Sequence, residues 1–267
     1  MPAHLLPYLA PAVLLVAAAV AFRGPGQRPA LTLRVAEGAT LVALAVAVLS
    51  LSLLIAAGPA TAELATLSGL GLAVRLDAVS VAMLLLVAFI GWVVTRYAAR
   101  YLDGETRQGA FTGWLLATLA AVMLLVTAGN LVQLLLAWIA TGLTLHRLLV
   151  FYPERLAAQR AARKKAITSR IGDLALLGAV ALLVLAYGTG DIAAILDAAR
   201  AGEATTGVAL AAGLIALAAL MKSAQFPTHG WLTEVMETPT PVSALLHAGV
   251  INAGGFLLVR FADVMLQ

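Results

Sequence analysis

The chain has 267 residues, 62% of them apolar and 11% charged, with a mean hydropathy of +0.99. Soluble domains run nearer ~45–50% apolar and ~25% charged, so a water-soluble enzyme is excluded and an all-α polytopic membrane protein fits. The chain contains no cysteine, which excludes disulfides, thiolate iron–sulfur clusters and a cysteine nucleophile. No phosphate loop, HExxH zinc pattern or dinucleotide fingerprint occurs either, so no cofactor is expected on this chain.

A spanning helix takes about 20 apolar residues. Runs of that kind fall at about 5–22, 39–57, 78–95, 111–128, 131–151, 171–187, 206–225 and 241–259, predicting eight spans. Each is closed by Gly, Pro, Asn or a charge cluster, such as Arg23-Gly24-Pro25-Gly26 after the first. Ala128-Gly129-Asn130 forms a tight turn between the fourth and fifth. No segment is read as alternating with period two, which argues against a membrane barrel. The first run is preceded by no Lys or Arg and followed by Arg23, Arg28 and Arg34. That polarity is wrong for a cleavable signal, so the first run is a true span with its N-terminus outside.

Of the 17 Lys and Arg, those at Arg23–Arg34, Arg96–Arg107 and Arg147–Arg170 flank alternate connections. Only Arg75, Arg200 and Arg260 flank the opposite ones. The positive-inside rule then places the basic connections on the cytoplasmic side of the cell (inner) membrane. The pI of 9.8 therefore reports topology, and no nucleic-acid partner is implied. The basic stretch 155–170 reads as a solvated loop beside anionic headgroups of the lipid bilayer.

The remaining lysine, Lys222, falls inside the seventh run. A charge at mid-depth costs about 2.5–3.5 kcal/mol on insertion scales, and such residues usually face the bundle interior on an ion or proton pathway. A helix begun near Thr206 puts Lys222 roughly 24 Å along the axis. Pro227 follows and should break the seventh helix, while Pro239 and Pro241 open the last span. Broken helices at membrane depth are tolerated only beside protein or water, and beside an intramembrane charge they build ion sites in transporters. His247, inside the last span, suits a proton relay, and His229 beside the break is a weaker candidate. Asp173 lies three residues after Arg170, at salt-bridge spacing. Gly249, Ala253, Gly254 and Gly255 suit close helix packing.

The block Lys222-Ser223-Ala224-Gln225-Phe226-Pro227, then Trp231-Leu232, then Pro239-Thr240-Pro241-Val242-Ser243-Ala244-Leu245-Leu246-His247-Ala248, resembles the antiporter-like proton-translocating subunits. That family includes subunit L of respiratory complex I and the large Mrp antiporter subunit. Leu76-Asp77-Ala78-Val79-Ser80, Ala137-Trp138 and Arg170-Ile171-Gly172-Asp173 support the likeness upstream. The resemblance implies three helices over residues 1–110, then one five-helix antiporter-like repeat over 111–267. It makes Lys222, His247 and Asp173 the ion-pathway residues. Two departures stand out. Ile139 occupies the position where the family commonly has a glutamate, and the second, inverted repeat of the family is not present before Gln267.

Finer details, in Leu145-His146-Arg147-Leu148-Leu149, His229-Gly230-Trp231-Leu232-Thr233-Glu234-Val235-Met236-Glu237 and Gly249-Val250-Ile251-Asn252-Ala253-Gly254-Gly255, resemble the membrane subunits of two-component DAB inorganic-carbon systems. That likeness implies a cytoplasmic, DabA-like zinc partner similar to β-carbonic anhydrases, with any metal on the partner. It leaves room for a second chain to supply the other repeat. The expected function is a membrane subunit coupling proton or cation flow to bicarbonate uptake, not an enzyme by itself. Two alternatives stay open: subunit L of an NADH-quinone oxidoreductase, and a non-conducting membrane anchor for a carbonic-anhydrase-like partner.

Overall fold

A computed structural model describes residues 3–67, 70–202, 206–233 and 238–267. Leucine and alanine favour the helix, and a backbone in lipid must bond to itself, so the apolar runs become helices. A 3-10 turn from Ala3 to Tyr8 leads into α1 (Leu9–Arg23), followed by α2 (Ala30–Ala57), α3 (Ala78–Tyr101), α4 (Gln108–Val126), α5 (Leu131–Leu149) and α6 (Leu156–Tyr187). These six stretches are long and apolar enough to cross a membrane. The seventh and eighth spans are interrupted. Helix α8 (Val208–Lys222) stops at the lysine, and α9 (Gly230–Thr233) is a single turn. The last span runs as α10 (Thr240–Leu245), a π turn over residues 246–250, and α11 (Asn252–Arg260), closed by α12 (Ala262–Met265). Between α6 and α8, the short α7 (Ile192–Arg200) buries Ile192, Ile195, Leu196 and Ala199, the i, i+3, i+4, i+7 stripe of an amphipathic surface helix.

Two elements depart from the sequence expectation. An antiparallel hairpin, β1 (Ala60–Leu67) with β2 (Leu70–Leu76), lies between α2 and α3. Leucine or valine does recur at every second position of β2, but a register shift between Glu63 and Ala65 interrupts the pattern in β1. The strand is also covered unevenly, with Ala73 and Val74 both buried while Leu72 is exposed. The hairpin is no barrel; it caps the α4–α5 turn. Gly129 N donates to Ala73 O at 2.6 Å, Arg75 N to Thr127 O at 2.9 Å, and the Asn130 amide to Gly71 O at 2.5 Å.

The second departure is α6, which starts at Leu156 and not near 171, so the basic stretch is helix and not loop. Alanine, arginine, lysine and glutamine are good helix formers, and neither Gly nor Pro falls between Leu156 and Ile171. At 32 residues the rod is about 48 Å long, well beyond the ~30 Å hydrocarbon core. Helix α2 likewise starts earlier than expected, at Ala30.

The connections gather at two ends. At the basic end Gly109 N donates to Gly26 O, the Arg28 guanidinium meets Asp103 at 3.0 Å, and Arg107 donates to Phe151 O. At the opposite end the hairpin, the 127–130 turn and the segment entering α7 are hydrogen-bonded together, with Leu131 N donating to Gly190 O and Ile192 N to Gly129 O. Helix α4 is the most buried of the six long spans, with α1, α3 and α5 around it, while α6 packs along α8.

Candidate ion-translocation site

Three helices converge on one buried seam. Helix α8 ends at Lys222, where Ser223 N still bonds back to Ala219 O at 2.9 Å, and the chain then turns through Pro227 instead of continuing. The stump is bolted to α11: Ser223 Oγ donates to Ile251 O at 2.8 Å. Gly254 approaches so closely that a Cβ there would stand 2.5 Å from Ala219 O. Of the small residues of the last span, Gly254 thus serves close packing, while Gly255 is exposed with open space beside it. Lys222 is 5% exposed. Its Nζ donates to Trp138 O on α5 at 2.9 Å and sits 4.3 Å from the centroid of the Trp138 ring, a cation–π contact.

A second ammonium joins it. Lys165, read from sequence as one more cytoplasmic charge, is 4% exposed and donates to Gly142 O at 2.7 Å. Gly142 is the gap between the two amines: a Cβ built there would be 3.8 Å from both Lys165 Nζ and Lys222 Nζ. The amines therefore lie within twice that distance of each other. Along α6, Lys165, Ser169 and Asp173 share one face at i, i+4, i+8; along α5, Trp138, Gly142 and His146 do the same.

Between these faces lies a cavity of about 110 Å³, lined by Ile139, Gly142, His146, Lys165, Ser169, Arg170 and Asp173 among others. A polar cavity needs only ~10–15 Å³ to hold a water, so this one has room for several. Asp173 makes the expected ion pair with Arg170 through Oδ2, at 3.7 Å. Its Oδ1 is buried without a hydrogen bond, as are Trp138 Nε1 and His146 Nδ1. The Trp138 indole N–H approaches Asp173 without closing a bond. The charge is lopsided: Lys165, Lys222 and Arg170 face one carboxylate. Ile139, at the family's glutamate position, forms part of the cavity wall.

Of the residues singled out from sequence, the structure brings together Lys222 and Asp173, which act on each other electrostatically. It does not bring His247 to them. His247 lies on the π turn, exposed, with its carbonyl accepting from Asn252 Nδ2 at 3.2 Å. His229 is exposed too, its ring 5.9 Å from that of Phe226. Pro239 precedes α10 as its N-cap and Pro241 lies in its first turn. Residues 234–237, part of the DAB-like stretch, lie outside the described residues. Lys165 and His146 were missed as site residues. The signal that could have found Lys165 was its eight-residue spacing from Asp173, on the same helical face. Among the described residues, no three His, Asp or Glu stand where they could share a metal ion.

At the opposite end stands a second buried charge cluster. Asp77 caps α3, accepting from Ser80 N at 2.8 Å, and receives Arg75 Nε at 2.6 Å. The Arg260 guanidinium bonds both Asp77 oxygens and donates to Ser80 Oγ at 2.6 Å. Burial pushes the Asp77 carboxyl up, but Arg260, the Ser80 N–H and Arg75 together outweigh it and hold the group well below the usual carboxylate range. Arg200, the third arginine of this end, pairs with Asp263 at 2.8 Å. All three arginines that depart from the basic-end bias are thus engaged by carboxylates.

Comparison with known proteins gives a consistent picture. Residues 128–267 match the family model described as NADH:quinone oxidoreductase/Mrp antiporter, TM, and residues 67–112 match that of the NADH-ubiquinone oxidoreductase (complex I) chain 5 N-terminus. The probable inorganic carbon transporter subunit DabB of Hydrogenovibrio crunogenus is 45% identical over 206 residues, covering 76% of this chain and 40% of that protein. NADH-quinone oxidoreductase subunit L of Mycobacterium tuberculosis is 36% identical over 188 residues, covering 70% and 29%. A chain in the structure of the Mrp complex from Dietzia superposes with a TM-score of 0.81 at 32% identity, over 97% of this chain and 28% of that one. The chain spans about two fifths or less of the length of these relatives.

Proposed function

The chain belongs to the NADH:quinone oxidoreductase/Mrp antiporter membrane family, and from that premise we propose that it is the antiporter-like membrane subunit of a two-component inorganic-carbon transport system. Lys222 is its central protonatable group. The observation that carries this is Lys222 itself: an ammonium in a dry seam, at the end of a helix that stops there, with a hydratable cavity beside it. Charged groups inside membrane bundles mark ion pathways. The higher identity to DabB than to subunit L supports the inorganic-carbon assignment over the oxidoreductase one. Helices α4 to α11 act as one antiporter-like repeat behind the three-helix N-terminal segment.

Proton or cation flow enters from the basic end past His146 and Arg170, reaches Asp173 and Lys165, and passes to Lys222. His247, exposed on the π turn, hands it on to a neighbouring polypeptide. The basic end faces the cytoplasm, where the zinc-bearing, DabA-like partner docks, and the N-terminus faces outward. Because the chain has no cysteine, a single Arg160→Cys reports its side directly: labelling only from the cytoplasm agrees with this orientation.

The deciding experiment is Lys222→Met in cells that depend on the chain for bicarbonate accumulation. Uptake should fall at least tenfold with the protein amount unchanged. Full uptake would instead make the chain a non-conducting anchor. Co-purification separates the remaining alternative, since flavin and iron–sulfur subunits in the isolated complex would identify an oxidoreductase.

A further inference from the structure

The α5–α6 cavity is short of negative charge. Lys165 and Lys222 are both buried, Arg170 stands at the rim, and Asp173 is the one carboxylate among the described residues lining it. Buried charges are normally paired, and the wall position that would supply a second carboxylate is Ile139. Lys165 spends one of its three protons on Gly142 O, which leaves donors free beside the space. Asp173 Oδ1 is an acceptor without a donor, and His146 Nδ1 has no partner. An occupant that completes this set is small enough for about 110 Å³, carries one negative charge, accepts from Lys165 and donates to Asp173. Chloride and nitrate have no proton to give and would face the Asp173 lone pairs. A singly protonated planar oxyanion meets every condition.

We propose that the cavity between α5 and α6 is a binding site for hydrogencarbonate, held by Lys165 with Asp173 accepting the ion's O–H. The site rests on charge and geometry; only the choice of this oxyanion rests on the inorganic-carbon function above. The membrane subunit would then hold the transported species itself, with Gly142 of the cavity wall standing between it and Lys222.

The test is binding of [13C]hydrogencarbonate to the purified full chain in phosphatidylcholine nanodiscs, read as saturable broadening of its carbon resonance at fixed pH. Lys165→Gln should weaken binding at least tenfold. Ile139→Glu, which puts a carboxylate of the protein into the cavity wall, should do the same, and it keeps the test decisive if Lys165→Gln fails to fold. Asp173→Asn should reduce the preference for hydrogencarbonate over nitrate severalfold. No saturable broadening in a folded chain, equal competition by chloride and nitrate, or full binding by folded Lys165→Gln would each overturn the site. Tenfold loss of uptake in Lys222→Met without any hydrogencarbonate binding sinks the site and leaves the conduction role standing. Binding with uptake unaffected by Lys222→Met does the reverse.

Discussion

The molecule buries two charge clusters, one at each end of the bundle, and they are built to opposite specifications. At the hairpin end Asp77 is gripped by Arg75, Arg260 and the Ser80 backbone, with Arg260 only 2% exposed and bonded to three oxygens. At the seam of α5, α6 and α8, two lysines lean on backbone carbonyls, one carboxylate is half used, and a cavity stays open beside them. In the first cluster the protein supplies partners to both carboxylate oxygens and to both terminal guanidinium nitrogens of Arg260, leaving only Arg260 Nε without one. The second leaves Asp173 Oδ1, Trp138 Nε1 and His146 Nδ1 without protein partners around a cavity. The first holds α3 to the last span, and the second is where the proposed translocation is placed.

The comparison is broken most directly by deleting one cation from each cluster. Arg260→Met leaves Asp77 buried and unpaired with its main partner, and losing one side of a buried pair costs about 3–5 kcal/mol; thermal unfolding in detergent should show it. Lys222→Met removes an ammonium that no carboxylate bonds, and replacing such charges with apolar groups is often neutral or stabilising. Its melting temperature should hold or rise while uptake collapses. Equal destabilisation by both changes would erase the distinction.

Glycines sharpen it next. A Cβ on Gly129 would stand 2.8 Å from the Ala73 backbone under the hairpin, so Gly129→Ala should cost about 1–3 kcal/mol by overpacking. On Gly142 the same atom meets Ser169 Oγ at 3.4 Å and the two amines at 3.8 Å, ordinary contact distances. Gly142→Ala should therefore fold as well as the parent or gain up to ~1 kcal/mol of helix propensity. Uptake should nevertheless fall severalfold, because the gap shared by the amines is filled.

The smallest effect is in pH. The Asp77 carboxyl titrates below its ordinary value near ~4, so its contribution is fully present above that value and is lost as the pH falls towards the lower folded one. The gap in melting temperature between the parent and Asp77→Asn should be constant from pH 7 to 5 and close on acidification below 4. A gap that widened there would contradict the ion pair.

Much of this was legible in the sequence. Length of apolar run fixed the spans, because lipid forces each segment to close its own hydrogen bonds, and a charge within such a run singled out Lys222. The break after it was carried by Pro227. The hairpin was hidden because strand signals are short and context-dependent, and here one strand carries a register shift. Lys165 was hidden for a different reason. It sits among Arg160, Arg163, Lys164 and Arg170, and only the continuity of α6 turns one member of that run inward. His247 lies exposed on a π turn of the last span, an irregularity that no residue pattern announces.

Helix α6 has one more consequence. Its outer turns, carrying Arg160, Arg163 and Lys164, and its inner turn, carrying Asp173, belong to a single unbroken rod with no proline or glycine before Gly172. Asp173 lies about 20 Å along the axis from Arg160. The exposed arginines and the α6 residues that form the cavity wall are thus joined by continuous helix, with no break in hydrogen bonding between surface and buried seam.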